Sequence, residues 1–251
     1  MTRTFVSAVL TLALAPALAS AQPWQGRILL EINGAVQSAS NTFEDDFTYR
    51  HPYSGNIPGE EASVSSRYDV PTGPLVDGGI VVRIVRNLAA GVAVSYTSGN
   101  DDIAVTARIP HPFFVERHRE VDGTQSADHT ETGVHMQLLY FIPAGTHLYF
   151  GVSGGPSYFS VEQRVVTAVN TNEQYPYDTT EFASADLETI THGGWGFNAG
   201  VDVGWMFTRN LGVGGLVRYT RATVSIKPAN RDARDLDAGG LQAGAGIRVA
   251  F

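Results

Sequence analysis

The chain of 251 residues contains no cysteine, which excludes a disulfide framework and any thiolate metal site. Charged residues make up only 17% of it and the net charge is −8, which argues against a nucleic-acid partner. After the N-terminus, no run reaches the ~18 consecutive apolar residues of a membrane helix. The sequence instead has 27 glycines and 10% aromatic residues, a composition that favours a large β structure.

The first residues have the pattern of an export signal. Arg3 gives a positive start, an apolar run extends from Phe5 to Leu14, and small residues follow up to Ala21. The run is too short to span ~30 Å of hydrocarbon, so a cleaved signal peptide is favoured over an anchor helix. We predict a signal peptide over residues 1–21, with cleavage after Ala19 or Ala21, and one domain over residues 22–251.

The last strand-like stretch alternates strictly between two faces, which is typical of a β-strand. One face is apolar and ends on Phe251, whereas the other carries small or polar residues. The apolar face consists of Leu241, Ala243, Ala245, Ile247, Val249 and Phe251. An apolar face that ends on an aromatic residue favours a strand that meets a membrane interface.

Seven further stretches alternate in the same way, and together they predict eight strands. The eight stretches are 27–39, 75–85, 88–96, 132–142, 147–159, 194–207, 211–219 and 241–251. Short turns join some of them, and long polar segments join the others. We interpret these segments as loops, although 103–109 and 165–169 could prolong strands. The four segments are 38–74, 99–131, 162–192 and 225–237, and they contain 22 of the 25 acidic residues.

This alternation predicts a transmembrane, up-and-down antiparallel β-barrel with short periplasmic turns and long extracellular loops. The glycine-rich face fits the narrow interior of eight strands, and the apolar face would meet lipid. Six charged residues then lie inside as an ion-pair network: Glu31, Asp77, Arg83, Asp202, Arg218 and Arg248. We expect Glu31 near Arg248 and Arg83, and Asp202 near Arg218. A structural network and the lining of a small gated pore are both open interpretations.

At this point the sequence resembles the small eight-stranded outer-membrane proteins of the OmpA transmembrane-domain, OmpX and opacity-like kind. The resemblance is carried by residues 85–96 (VRNLAAGVAVSY), 154–159 (GGPSYF) and 244–251 (GAGIRVAF). It implies a location in the outer membrane. It also implies that the barrel-assembly machinery recognises the terminal strand through Ile247, Val249 and Phe251. Family functions are diverse, so the resemblance selects none of them.

The search for chemistry yields no catalytic, cofactor or metal site. There is no Gly-x-Ser-x-Gly elbow, although a triad assembled from separate strands is not excluded by sequence. Adjacent acids at 44–46, 60–61 and 101–102 are candidates for cation binding or for a solvated surface. Aromatic residues in the polar segments are candidates for a binding surface or for strand continuations: Tyr49, Tyr53, Phe113, Phe114, Tyr175 and Tyr177.

We therefore predict a non-enzymatic outer-membrane barrel that anchors acidic surface loops for envelope structure or partner interaction. The expected partners are outer-membrane lipid, the assembly machinery and an extracellular partner. A narrow porin for small solutes is the alternative. A lipid-modifying enzyme embedded in a barrel is the third hypothesis.

Overall fold

The computed structural model describes residues 26–38, 41–50, 59–70, 72–226 and 233–251, so the predicted signal peptide lies outside the described residues. The described chain forms ten antiparallel strands. They are β1 (Ile28–Ser38), β2 (Asn41–Arg50), β3 (Glu61–Val70), β4 (Gly73–Val85), β5 (Leu88–Pro110), β6 (His118–Ala144), β7 (Leu148–Glu173), β8 (Thr180–Met206), β9 (Leu211–Ile226) and β10 (Arg234–Ala250).

Eight of these strands close into a ring in the order β1-β4-β5-β6-β7-β8-β9-β10, and β10 pairs with β1. The remaining two, β2 and β3, continue β1 and β4 after short interruptions and pair with each other. β3 also continues the pairing of β4 with β5, with Asp69 opposite Asp102. Counted along the barrel wall, the chain therefore makes eight long strands, which confirms the predicted up-and-down barrel.

One end of the barrel is made of tight turns, at residues 86–87, 145–147 and 207–210. At this turn end the backbone of Phe251 exchanges two hydrogen bonds with Ile28, of 2.9 and 3.1 Å, which closes the first strand onto the last. The opposite, distal end is formed by the long hairpins β5–β6 and β7–β8, whose strands run for 23 to 27 residues.

Next to the turn end, the barrel is apolar outside, and its interior contains buried polar and charged residues together with an apolar cluster that includes Leu29, Phe141 and Met206. We call this zone the belt. Each strand of the ring exposes a large apolar side chain there: Ile32, Ile80, Val94, Leu138, Val152, Val201, Val217 and Ile247. Aromatic residues border the belt, with Trp195 and Tyr219 on one side and Trp205 and Phe207 on the other. An apolar band between two aromatic girdles is the surface of a transmembrane β-barrel. The described residues include no helix long and apolar enough to cross a membrane.

Beyond the belt the strands continue, and the polar segments are not irregular loops. We call this part the extension; it comprises the described residues of 41–70, 102–131, 161–192 and 222–238. The prediction of loops over 38–74, 99–131, 162–192 and 225–237 was wrong for most of these residues, since β2, β3 and the distal halves of β5 to β8 occupy them.

The two faces of the strands exchange polarity where the belt ends. In β5, Val92, Val94 and Tyr96 point outward in the belt, whereas Ile103 and Val105 are buried inside the extension. A strand in lipid must turn its apolar face outward, and a strand in water must turn it inward. The outward face of the extension is polar, so its sequence is rich in the polar residues that are typical of loops. This composition led to the wrong prediction of loops.

The extension has its own apolar core. Phe47, Val64 and Tyr68 from β2 and β3 pack with residues of β5, β6 and β7. The Tyr68 hydroxyl accepts a 2.8 Å hydrogen bond from the backbone N–H of Val166, and the Tyr49 hydroxyl donates to the Val169 carbonyl at 3.2 Å. Burial raises the pKa of the Tyr49 phenol. These contacts fix β2 and β3 against β7.

Candidate functional site in the lumen and at the distal tip

Two arginines lie fully buried in the lumen, and each meets a carboxylate. Arg248 of β10 donates to Asp202 of β8 at 2.5 Å, and its Nε lies 3.5 Å from Glu31 of β1. Arg218 of β9 donates to Asp77 of β4 at 2.6 Å. Their side chains are 0% and 1% exposed respectively. Charge-assisted hydrogen bonds of this length are among the stronger polar contacts in proteins.

The contact between Glu31 and Arg248 was expected from the sequence, whereas the expected pairing of Arg218 with Asp202 is replaced by Arg218 with Asp77 and Arg248 with Asp202. The offset of two residues across the β8–β9 turn is present, since Gly200 rather than Asp202 is opposite Arg218. Arg218 nevertheless reaches across the lumen to β4, because a long side chain inside a narrow barrel meets the opposite wall as readily as its neighbour. Arg83 lies half-exposed near the turn end, where its backbone N–H donates to the carbonyl of Arg27 at 2.8 Å.

Amides connect the two ion pairs into one hydrogen-bonded chain, which we call the lumen chain. Asn33 receives a hydrogen bond from Arg248 at 2.7 Å and donates to Asp77 at 3.0 Å. From Arg218 the chain continues to Gln242 at 2.8 Å. The two last steps run from Gln242 to Gln37 at 2.6 Å and from Gln37 to Glu131 at 3.2 Å. The lumen chain thereby ties together β1, β4, β6, β8, β9 and β10.

A glycine makes room for the central ion pair. Gly214 lies on β9, between the strands that carry Arg248 and Asp202, and a Cβ built there would stand 2.8 Å from the Arg248 guanidinium. Such a distance is too short for a real side chain. The guanidinium therefore passes over the glycine on its way to Asp202.

A second polar cluster surrounds His135, which is 0% exposed. Its Nε2 lies 2.8 Å from the Ser95 hydroxyl and its Nδ1 lies 2.8 Å from the Ser157 hydroxyl. Asn198 donates to Ser157 at 2.8 Å, and Phe159 packs edge-on against the imidazole. The contacts described for the His135 ring bring a hydroxyl to each nitrogen and bring no carboxylate, so the cluster lacks the orienting acid of a hydrolytic triad.

Sequence analysis did not identify the His135 cluster. Its members come from β5, β6, β7 and β8 and are brought together by the pairing of these neighbouring strands, which places His135 opposite Ser157. Serine at inward positions of neighbouring strands was the available hint, but serine is equally common as a small residue that faces a narrow interior.

The distal tip is the second candidate site. It is formed by residues 111–117, which connect β5 to β6, and residues 174–179, which connect β7 to β8. Arg119 forms two hydrogen bonds with Glu173, one of them 2.7 Å long, and Arg117 lies 2.9 Å from Asp178. These ion pairs join the two connections into one surface.

The adjacent acids do not gather into cation sites. In β2, Asp45 points inward, 3.9 Å from Arg234, while Glu44 and Asp46 point outward. Successive strand residues face opposite sides, so Asp45 cannot converge with Glu44 or Asp46. Glu60 accepts a 2.9 Å hydrogen bond from the backbone of Glu116. Within the residues that the structure describes, no group of three or more His, Cys, Asp or Glu could hold a metal ion.

The residues predicted as an assembly signal lie on the outer surface of β10. Ile247 and Phe251 are exposed and Val249 is half-buried. Their side chains therefore face lipid in the closed barrel. Of the candidate aromatic residues, Tyr49 packs inside the extension, Tyr53 lies outside the described residues, and the other four lie at the distal tip.

No family model matches the sequence, and no curated protein matches it. Among solved structures, several outer-membrane proteins are similar to this chain, each with a TM-score below 0.5. The outer-membrane protein OprG from Pseudomonas aeruginosa is 10% identical, with 92% of this chain and 97% of that chain covered and a TM-score of 0.48. The protease OmpT from Escherichia coli is 10% identical, with 90% and 97% covered and a TM-score of 0.47.

A third similar structure is Ail, the attachment invasion locus protein of Yersinia pestis, in complex with the heparin analogue sucrose octasulfate. It is 10% identical, with 89% of this chain and 99% of that chain covered and a TM-score of 0.42. At these identities and TM-scores, the similarities bring no activity, ligand or partner to this chain.

Proposed function

We propose that this chain is a non-enzymatic outer-membrane protein, in which a filled barrel anchors an acidic extension at the cell surface for interaction with a partner. The observation that carries the proposal is the exchange of polarity between belt and extension. The belt suits lipid and the extension suits water, and both are built from the same continuous strands. The export signal predicted at residues 1–21 supports the same location.

The charge distribution supports an outward role for the extension. Segments 38–74, 99–131, 162–192 and 225–237 contain 22 acidic and nine basic residues, a net charge of −13, whereas the whole chain carries −8. The extension is also long. A barrel strand needs about 9–11 residues to cross a bilayer. The 27 residues of β6 therefore leave roughly 16 beyond the belt, or roughly 40 Å at ordinary rise and tilt.

The lumen supports an anchor rather than a passage. Arg218, Arg248, Gln242 and Asn33 have almost no exposed surface, so in the described part of the lumen water does not run past them. A narrow channel is the alternative function, and it requires the lumen chain to break. A barrel-embedded enzyme is disfavoured because the contacts described for His135 bring hydroxyls and no carboxylate to its ring. For assembly, we propose recognition of Ile247, Val249 and Phe251.

Single cysteines test the orientation, since the native chain has none. Val115→Cys places a thiol at the distal tip and Arg209→Cys places one in the β8–β9 turn, and both positions are exposed. A membrane-impermeant maleimide applied to intact cells should label the first. It should label the second only after the outer membrane is permeabilised. Labelling in the reverse order, or of both cysteines in intact cells, contradicts the proposal.

A further inference from the structure

Outside the belt, the described residues expose large apolar side chains at a single place, the distal tip. Phe113, Phe114 and Val115 are 68%, 56% and 72% exposed, and Tyr175 is 87% exposed. The first three follow β5 and the fourth follows β7. Apolar residues scattered singly over a surface are ordinary, but a cluster on an otherwise polar extension marks an interaction site.

The tip holds these side chains in place. Nδ1 of the buried His111 accepts hydrogen bonds from the backbone N–H groups of Phe113 and Phe114, at 3.1 and 3.3 Å. The Phe113 ring packs edge-on against Tyr177 at 5.1 Å. Among the described residues, the non-glycine residues with positive φ are Glu116 (60°) and Tyr177 (75°), both at the tip. A rigid surface loses little conformational freedom on binding, which favours affinity.

The surrounding charge indicates the sign of the partner. At the tip itself the charges are largely paired: Asp178 lies 2.9 Å from Arg117, whose guanidinium lies 5.6 Å from the centre of the Phe114 ring, and Glu120 lies 3.9 Å from Arg108. The excess of negative charge belongs to the extension as a whole, since segments 38–74, 99–131, 162–192 and 225–237 carry a net charge of −13. An acidic surface attracts cations over long range and repels anionic lipid surfaces. The charge therefore favours a basic polypeptide over a membrane as the occupant.

We propose that the distal tip docks a cationic polypeptide segment that bears apolar side chains. Phe113, Phe114, Val115 and Tyr175 form the apolar centre, and the net negative charge of the extension steers the segment towards it. In protein interfaces, aromatic anchors at the centre typically carry most of the affinity, and charged residues around them typically steer association. This inference rests on the proposed function, since it needs the extension to lie at the cell surface.

Binding is tested on the full-length protein in nanodiscs of zwitterionic lipid, with empty nanodiscs as the blank. The probe is a short, labelled amphipathic Leu/Lys peptide, and the comparison peptide has serine in place of each leucine. The protein should bind the Leu/Lys peptide at least about tenfold more tightly, as expected when apolar anchors carry the affinity. Equal binding of the two peptides, or preferential capture of added zwitterionic or anionic vesicles, overturns the proposal.

Two variants locate the binding. Val115→Ser with Tyr175→Ser removes exposed side chains and should weaken Leu/Lys binding at least about tenfold. The control pair Thr124→Ser with Thr191→Ser changes exposed residues elsewhere on the extension and should leave binding unchanged. Glu116→Gln with Glu120→Gln should slow association by severalfold and reduce its dependence on salt. Binding that both tip variants leave unchanged overturns the proposal.

The cysteine labelling distinguishes failure of the docking inference from failure of the proposed function. If Val115→Cys is labelled in intact cells and the peptide does not bind, the docking inference fails and the proposed function stands. If Val115→Cys is not labelled in intact cells, the proposed function itself fails.

Discussion

Arg248 and Asp202 meet inside the barrel at 2.5 Å, although β9 separates the strands that carry them. The contact passes over Gly214, and Glu31 approaches the same guanidinium from β1. One arginine therefore joins β1, β8 and β10. In a cavity with no exposed surface around the guanidinium, this arrangement makes Arg248 the residue on which the lumen chain depends most.

Removal of Arg248 should destabilise the barrel strongly. In Arg248→Ala, Asp202 and Glu31 stay buried without their cation, and the expected loss in free energy of unfolding is about 3–5 kcal/mol. Urea titration of the micelle-folded protein, followed by heat-modifiable gel migration, measures the loss. Arg209→Ala, in the exposed β8–β9 turn, is the control and should change little. An unfolding curve for Arg248→Ala that overlies the wild-type curve would show that the pair contributes nothing.

Gly214→Ala should destabilise the barrel through crowding of the same guanidinium. The added Cβ would lie 2.8 Å from Arg248, so either the arginine or the strand must shift, at a cost of about 1–3 kcal/mol. Gly215→Ala is a matched control on the next residue, because its Cβ would find its nearest neighbour at 3.5 Å. The same urea titration compares the two. Equal midpoints would show that the lumen tolerates a methyl group beside Arg248.

Tyr68→Phe should loosen the extension and leave the belt intact. The change removes the hydroxyl that accepts the Val166 N–H, and the loss of one buried hydrogen bond costs about 0.5–1.5 kcal/mol. Limited proteolysis should then cleave the extension faster, while the heat-modifiable migration of the barrel stays the same. Tyr140→Phe, in the belt, is the control. Faster proteolysis together with a loss of heat-modifiable migration would show that belt and extension unfold as one unit.

Arg119→Met should release the distal tip. Arg119 is buried and binds Glu173 and the backbone carbonyl of Tyr177, so its loss removes the strongest polar contacts between the two hairpins at the tip. Hydrogen exchange at the tip should accelerate by at least about tenfold, as expected for local opening. Arg108→Met is the control, because its contact with Glu120 is exposed at 3.9 Å. Unchanged exchange at the tip would show that its other contacts, the Arg117–Asp178 ion pair and the Phe113–Tyr177 packing, hold it without Arg119.

The strands of the belt could be predicted from sequence because contact with lipid requires an apolar outward face along the whole membrane-spanning part of each strand. Trp195, Phe197, Val201 and Val203 share one face, and nothing but lipid contact explains that face in this composition. In the extension, the inward positions of β5 are Ile103, Val105 and Ala107, a short pattern within polar surroundings. The alternation can be recognised in the sequence. Which of its two faces points inward could be assigned only once the exchange of polarity at the end of the belt was known.

In the lumen, too, only part of the structure could be predicted from the sequence. The inward position of all six charged residues follows from strand alternation, but the pairing of Arg218 with Asp77 depends on the diameter of the barrel and on strand tilt. The amides Asn33, Gln37 and Gln242, which connect the ion pairs, could not be distinguished by sequence from other polar residues that face inward.

The central claim is that the barrel is a filled anchor. Planar-bilayer recording of the purified, refolded protein tests it most directly, because conduction needs a continuous water path through the lumen chain. We expect no stable openings from the wild-type protein. Reproducible single-channel openings of constant conductance, from protein with native heat-modifiable migration, would contradict the account and establish a channel.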